Sequence, residues 1–216
     1  MIVTSPVVRL TLFSDLYSIQ AIEQQAYGPD GLAVPIEVMA YRLAHSPQSF
    51  WVAELNGLIT GYITGVIIQF DPNSPPKSRA QALGYQEPQA ATYEGLSGRG
   101  NTLYVASIAV QPKFINKGIG TALIKSTQQF VATKGLQYRL AGLRIAGYRD
   151  YCDKLGNISA TEYCDLKNQH GLLQEPWLRL YTGLGFKFLK VQEEYYPPDQ
   201  ASKGYGALLV WQPKFI

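Results

Sequence analysis

Two cysteines and two histidines in 216 residues exclude several kinds of chemistry at the outset. Cys152 and Cys164 are too few for a disulfide framework, and with His45 and His170 as the only histidines no metal-ligand spacing exists, so no metal is expected. Charged residues make up only 16% of the chain, with no Lys/Arg run and no basic helix face interleaved with aromatics. Nucleic acid is therefore not an expected partner. The longest apolar stretch, Leu58 to Phe70, is too short to span a bilayer and is interrupted by Gly61, Thr64 and Gly65, so no membrane is expected either. The opening Met1-Ile2-Val3-Thr4-Ser5-Pro6 lacks the basic-then-apolar pattern of a secretory signal, which predicts a cytoplasmic protein with free thiols.

What is present is a chain that is 46% hydrophobic, enough for one sizeable core, and a single domain over residues 1–216 is expected. A monomer and a homodimer are both compatible with this composition. The formal net charge of +3 hides an asymmetry. Residues 1–100 hold 5 Lys/Arg against 8 Asp/Glu, whereas residues 101–216 hold 14 against 8. A polyanionic ligand would be drawn to the second half, although scattered surface lysines produce the same count.

The hydrophobic period switches repeatedly between strand and helix. Val7 to Leu12 reads as a strand, Ser14 to Tyr27 as a helix capped by Ser14, and Pro35 to His45 as a helix with proline in its first turn. Phe50 to Leu55 and Leu58 to Phe70 read as strands joined by Asn56-Gly57, a strong hairpin signal. Periodicity is lost over residues 71–100, which collect Pro72, Pro75, Pro76 and Pro88 and read as a surface insertion. Thr102 to Val110 is nearly all apolar, as in a strand covered on both faces. Ile119, Ala122, Leu123, Phe130 and Val131 then share one helical stripe that Gly135 terminates. Tyr138 to Ile145 reads as a strand, residues 146–174 as a polar insertion and Pro176 to Gly183 as a short helix. Phe186 to Tyr195 and Tyr205 to Gln212 read as closing strands around a Pro-Pro-Asp turn.

Chemistry enters at Lys117-Gly118-Ile119-Gly120-Thr121-Ala122, between the buried strand and the amphipathic helix. Successive N–H groups at a helix N-terminus form a concavity for a diphosphate, and glycines allow close approach because they carry no Cβ. A P-loop is excluded, since its Gly-Lys-Ser/Thr is missing. A dinucleotide fingerprint is disfavoured, because Leu123 stands where a third small residue is needed and the segment lies mid-chain.

With Ser107-Ile108-Ala109-Val110 leading into Ile115-Asn116-Lys117-Gly118-Ile119-Gly120, the segment resembles the GNAT N-acetyltransferase superfamily, whose loop reads Arg/Gln-x-x-Gly-x-Gly/Ala. Leu180-Tyr181-Thr182-Gly183-Leu184-Gly185-Phe186 is similar to the Tyr-x-x-x-Gly-Phe segment that closes the family's last helix. The resemblance covers nearly the whole chain apart from the two insertions. Its later stretch is similar to a subgroup also found attached to a carbon–nitrogen hydrolase domain; no such domain is expected within these 216 residues. The resemblance implies an α/β (α+β) fold: a mixed, mostly antiparallel central sheet of about seven strands flanked by helices. One departure is Ile115, where the family has Arg or Gln, and another is Asn116, where it usually has Gly. The side chain behind one of the family's phosphate contacts is thereby missing, with Lys117 as a candidate to compensate, while backbone donors over 116–121 do not depend on side-chain identity; weakened rather than abolished binding is expected.

The resemblance further implies acetyl-CoA as cosubstrate and direct attack of an amine on the thioester. A bulge in the strand before the loop opens a gap for the pantetheine arm, lined by Ile108, Ala109 and Val110, with the N–H of Ile108 or Ala109 facing the developing oxyanion. Asn116, Lys117, Gly118, Ile119, Gly120 and Thr121 would hold the phosphates; Lys117 read by itself is equally a solvated lysine. Tyr181 matches the tyrosine that protonates the leaving thiolate, a reasonable donor at a phenol pKa of about 10. Taken without the resemblance, it is a core tyrosine beside Trp177, Leu180 and Leu184.

The base is open. Thr102 to Val110 holds no carboxylate, and Glu23, Glu54 and Asp150 are unranked candidates. Tyr148, Tyr151 and Tyr195, in or near the irregular segments, either wall a substrate pocket or stiffen an insertion. The expected acceptor is a primary amine on a small molecule. A protein N-terminal or lysine acetyltransferase and a non-catalytic acyl-CoA-binding module are the alternatives.

Overall fold

A computed structural model describes residues 5–84 and 99–214. Its seven strands are β1 (Val7–Leu10), β2 (Phe50–Leu55), β3 (Leu58–Ile68), β4 (Thr102–Val110), β5 (Tyr138–Arg144), β6 (Lys187–Gln192) and β7 (Gly206–Trp211). They form one sheet in the order β1-β2-β3-β4-β5-β7-β6. Every neighbouring pair is antiparallel except β4–β5, which is parallel. The β2–β3 hairpin turns at Asn56 and Gly57 with φ of 52° and 75°, the left-handed pair that a two-residue hairpin requires.

Among the described residues seven α-helices flank the sheet: α1 (Leu16–Tyr27), α2 (Ile36–His45), α3 (Arg79–Leu83), α4 (Ile119–Thr133), α5 (Tyr148–Leu155), α6 (Ala160–Asp165) and α7 (Pro176–Gly183). On one face α4 presents Ile119, Leu123, Ile124 and Val131 to a core that includes Trp51, Ile63, Ile108, Leu143 and Leu178. On the other, Ile19 and Ile22 of α1 and Met39 and Leu43 of α2 cover Phe50, Val52, Tyr62 and Ala109. Each buried aliphatic or aromatic side chain contributes about 1.5–3 kcal/mol, and both faces of β4 are sealed in this way.

Several sequence expectations shift. The helix expected from Ser14 begins at Leu16 after a tight turn over Phe13–Asp15, and Ser14 does not cap it. Asp15 organises that turn instead: its carboxylate accepts from the Leu12 N–H and is held by Arg9. Proline 35 precedes α2 rather than entering its first turn. The polar segment 146–174 is not irregular throughout, since it contains α5 and α6. Helix α6 starts with a reciprocal Ser159–Glu162 capping box. Strand β6 stops at Gln192 because the chain turns through Glu194 at φ 50°. Of the 71–100 insertion, α3 is seen, with Ser78 Oγ accepting from the Gln81 N–H, while residues 85–98, Pro88 included, lie outside the described residues.

Candidate active site

The site is built on the divergence of two parallel strands. Thr102–Val105 pair with Tyr138–Ala141, and the ladder ends there. On its other side β4 skips a residue: Thr64 pairs with Ser107 and Gly65 with Val105, so Ala106 is the extra residue of a bulge. Gly65 is required at that point, because a Cβ there would lie 2.6 Å from the Tyr104 carbonyl oxygen. The bulge also flips the side-chain alternation. Tyr104 and Ala109 are five residues apart and yet belong to the cores under α3 and α1 respectively, whereas Val105 and Ile108 both face α4.

Which backbone groups enter the gap follows from the ladder. The Gln111 N–H donates to Thr60 O at 2.8 Å, and antiparallel pairs alternate, so Ala109 and Ser107 bond to β3. Ile108 and Val110 therefore turn N–H and C=O outward. The Tyr27 hydroxyl confirms the orientation by donating to Ile108 O at 2.6 Å. Of the two oxyanion donors considered, Ile108 N–H faces the gap and Ala109 N–H does not. A second outward carbonyl, Ala106 O, accepts from Arg79 Nη2 at 3.1 Å. Arg79 is seated by its own N–H on Tyr195 O at 2.7 Å and by stacking over the Tyr196 ring.

A cavity of about 980 Å3 runs through this gap. One end is the loop before α4. Asn116 and Gly118 take left-handed φ of 64° and 76°, and the first helical bond is Ala122 N–H to Gly118 O. The N–H groups of Gly118, Ile119, Gly120 and Thr121 have no main-chain partner among the described residues. A Cβ on Gly118 would meet nothing within 4 Å, so the surface there is open. This N-terminus of a 15-residue helix fits a diphosphate. Tyr181 of α7 lies in the cavity wall, packed edge-on against Phe186 and Trp177.

The far end lies on the other face of the sheet, among α1, the α1–α2 connection and the β6–β7 turn. Glu23 lines it, 1% exposed, with one carboxylate oxygen accepting from the Val34 N–H at 3.0 Å and the other from the Tyr62 hydroxyl. Burial lifts the Glu23 carboxyl above its usual range, and the bond from Tyr62 works in the opposite direction. Arg144 at the end of β5 bridges this region: Nε and Nη2 each reach Asp199 at 2.7 Å, and Nη2 reaches Asp30 at 2.6 Å. Burial works against the ionised form of Asp199, yet Arg144 and the Ser202 hydroxyl hold its carboxyl below the usual value.

With this geometry in view, the comparisons with known proteins become specific. Residues 15–148, more than half of the chain, match the acetyltransferase (GNAT) family. The chain belongs to that family. It is 28% identical over 205 residues to the uncharacterized N-acetyltransferase YkwB of Bacillus subtilis (strain 168), covering 94% of this chain and 86% of that protein. It is 25% identical over 175 residues to the probable hydrolase YhcX of the same organism, covering 81% of this chain but 32% of YhcX. Among solved structures, the loading GNATL domain of CurA from Lyngbya majuscula aligns with TM-score 0.79 and 24% identity, over 97% of this chain and 98% of that one. The GNAT-like decarboxylase GphF, solved with isobutyryl-CoA, aligns with TM-score 0.74 and 20% identity, over 95% and 98%. The seven-stranded sheet is thus the GNAT fold, in a family that uses acyl-CoA.

In this GNAT chain the residues singled out from sequence mostly converge. Ile108, Ala109, Val110, Asn116, Gly118, Ile119, Gly120, Thr121 and Tyr181 all line the one cavity. Lys117 does not: its N–H is bonded to Phe114 O at 3.3 Å, and its ammonium lies over the Phe114 ring. Of the three tyrosines considered for substrate, Tyr195 lines the cavity, buried with its hydroxyl 2.8 Å from that of Tyr104. Tyr151 lines a neighbouring pocket with Trp177 and Glu175. Tyr148 lines neither, because α5 turns it inward to donate to Ile158 O at 2.8 Å. Among the candidate bases, Glu54 is paired with Arg9 and Asp150 with Lys154 on an exposed helix face, which leaves Glu23 in the cavity. Tyr27, Arg79, Arg139 and Arg144 were not singled out beforehand; each is brought to the site by contacts tens of residues away in sequence, for which no local pattern exists. No helix among the described residues is long and apolar enough to cross a membrane.

Proposed function

We propose that this chain transfers an acetyl group from acetyl-CoA to the primary amine of a small molecule by direct attack. The observation that carries this reading is the single cavity running through the β4–β5 gap, which joins the Gly loop, the outward Ile108 N–H, Tyr181 and Glu23. Acetyl-CoA supplies the activated thioester. The loop N–H groups bind its diphosphate, and the outward edge of Val110 offers a donor and an acceptor to the pantetheine arm. Ile108 N–H stabilises the oxygen as negative charge develops. Glu23, directly or through a water, takes the proton that the amine loses on attack, and Tyr181 protonates the departing thiolate. The acceptor end is walled by Tyr27, Val34, Tyr195 and Tyr196, and this aromatic and aliphatic lining supports a compact amine as the acceptor.

Thiol release from acetyl-CoA with a panel of amines and peptides, for wild type and Tyr181→Phe, tests the reading. The expected result is turnover with a small amine and a loss in kcat of about a hundredfold or more in Tyr181→Phe. Binding of CoA without turnover of any amine or peptide would favour a binding module, and absence of any thermal shift with CoA would sink the cofactor assignment.

A second reading is favoured by one observation: both oxygens of Glu23 are already engaged by Val34 and Tyr62. In that reading the cavity acts on the acyl group itself, and the likeness to a GNAT-like decarboxylase solved with isobutyryl-CoA supports it. A carboxyacyl-CoA loses CO2, the electrons of the broken C–C bond pass into an enolate facing Ile108 N–H, and a proton is then taken up at carbon. Release of CO2 from malonyl-CoA without an amine would distinguish it.

A further inference from the structure

Arg139 stands on β5 beneath α7 and is fully buried. Its Nε donates to Thr127 Oγ1 at 2.7 Å, and Nη2 donates to the Tyr181 hydroxyl oxygen over a long 3.4 Å. The guanidinium carbon lies 4.7 Å from the Phe186 ring centroid and 5.1 Å from that of Tyr181. Nη1 is buried with no hydrogen-bond partner, and no ion pair to Arg139 is formed among the described residues.

A buried guanidinium without a counter-ion is an expensive arrangement, and aromatic faces offset only part of its lost hydration. Arg139 does not line the cavity, so a bound substrate is not the missing anion. The contacting group that acyl transfer would make anionic is the Tyr181 hydroxyl.

We propose that Arg139 is the positioning residue of Tyr181: it holds the phenol oxygen as an acceptor, leaving the phenol proton to point elsewhere, and its charge stabilises the phenolate formed when that proton is delivered. This rests on the acyl-transfer reading above. As the C–S bond breaks, its electron pair stays on sulfur, the Tyr181 proton moves to sulfur, and the negative charge comes to rest beside Arg139. The proton lost by the amine then restores the phenol through Glu23 or solvent. The same arrangement explains the choice of residue types. Thr127 takes Nε without introducing a competing carboxylate, since its own hydroxyl donates to Ile124 O at 2.7 Å.

In acyl transfer, Arg139→Met is expected to lower kcat at least about tenfold with KM for acetyl-CoA unchanged, and to add nothing to the loss in Tyr181→Phe. Arg139→Lys, which keeps the charge and loses the fork, should restore part of the rate. Wild-type kcat in Arg139→Met, or losses that add to those of Tyr181→Phe, overturn the proposal. If wild type itself releases no thiol with any amine, it is the acyl-transfer reading that falls, so the two failures are distinguishable.

Discussion

Glu23 illustrates how much one side chain's environment decides. A glutamate on the first amphipathic helix reads as a solvated charge, but here α1 packs on the sheet beside the gap and burial raises the carboxyl above its usual range. A carboxyl raised in the folded state is protonated there over a window in which the unfolded chain is ionised. Stability therefore declines as pH rises through that window, and Glu23→Gln should abolish that decline in denaturant melts. The same variant is expected to flatten the acidic limb of the kcat–pH profile, because the base works only when ionised, and to lower the plateau about a hundredfold. An acidic limb unchanged in Glu23→Gln would remove Glu23 from the reaction. Tyr181 differs in kind: its local Tyr-x-x-x-Gly-Phe setting was legible in the sequence, whereas Arg139 beneath it was not, being joined to it only by the packing of α7 on β5.

At the scale of elements, the loop before α4 was almost wholly readable. Glycines and asparagine at left-handed positions, an apolar strand before and an amphipathic helix after are local features, and Gly118 and Asn116 adopt the left-handed φ that those residue types tolerate. Lys117 was the exception, because the fate of its N–H depended on the turn formed with Phe114. Ile115 is 57% exposed and lines the cavity mouth without offering a phosphate donor. Ile115→Arg is thus expected to tighten CoA binding about five- to tenfold, the worth of one charge-assisted hydrogen bond at a partly exposed position. Calorimetry with CoA reads this directly, and an unchanged affinity would mean that position 115 does not face the phosphates. The strand bulge belongs to the same scale and was expected only through resemblance. Nothing in Thr102 to Val110 marks Ala106 as the extra residue; its partner Gly65 carries the signal, in a different strand.

Across the whole molecule, Arg144 ties three distant segments together: β5, the α1–α2 connection through Asp30 and the β6–β7 turn through Asp199. The Asp199 side chain is 1% exposed and that of Arg144 22%, so this is a desolvated pair with a further hydrogen bond from Ser202. Asp199→Asn leaves Arg144 with the more exposed Asp30 as its counter-ion and weakens two charge-assisted hydrogen bonds, so it is expected to cost about 2 kcal/mol at neutral pH in chemical denaturation. Because the folded-state carboxyl is held below its usual value of 3.8, its contribution is present above that pH and is lost as pH falls through the lower folded value. Wild type and Asp199→Asn should therefore converge in stability only in that acid range. Convergence near neutrality would show that the pair contributes nothing.

The sequence by itself determined the order of the seven strands and of α1, α2, α4 and α7, the hairpin at Asn56-Gly57, the Gly loop and the place of Tyr181 in α7, because each depends on periodicity, turn chemistry or a short motif within one or two elements. Tertiary structure alone decided that β4 and β5 part after Val105 and that Ile108 rather than Ala109 faces the gap. It alone brought Glu23, Arg79 and Arg144 to one end of the cavity and Arg139 under the other. The physical reason is common to all of these: ladder register, burial and charge pairing are properties of residues that meet across the sheet, and a chain read in order carries no record of which side chains will meet.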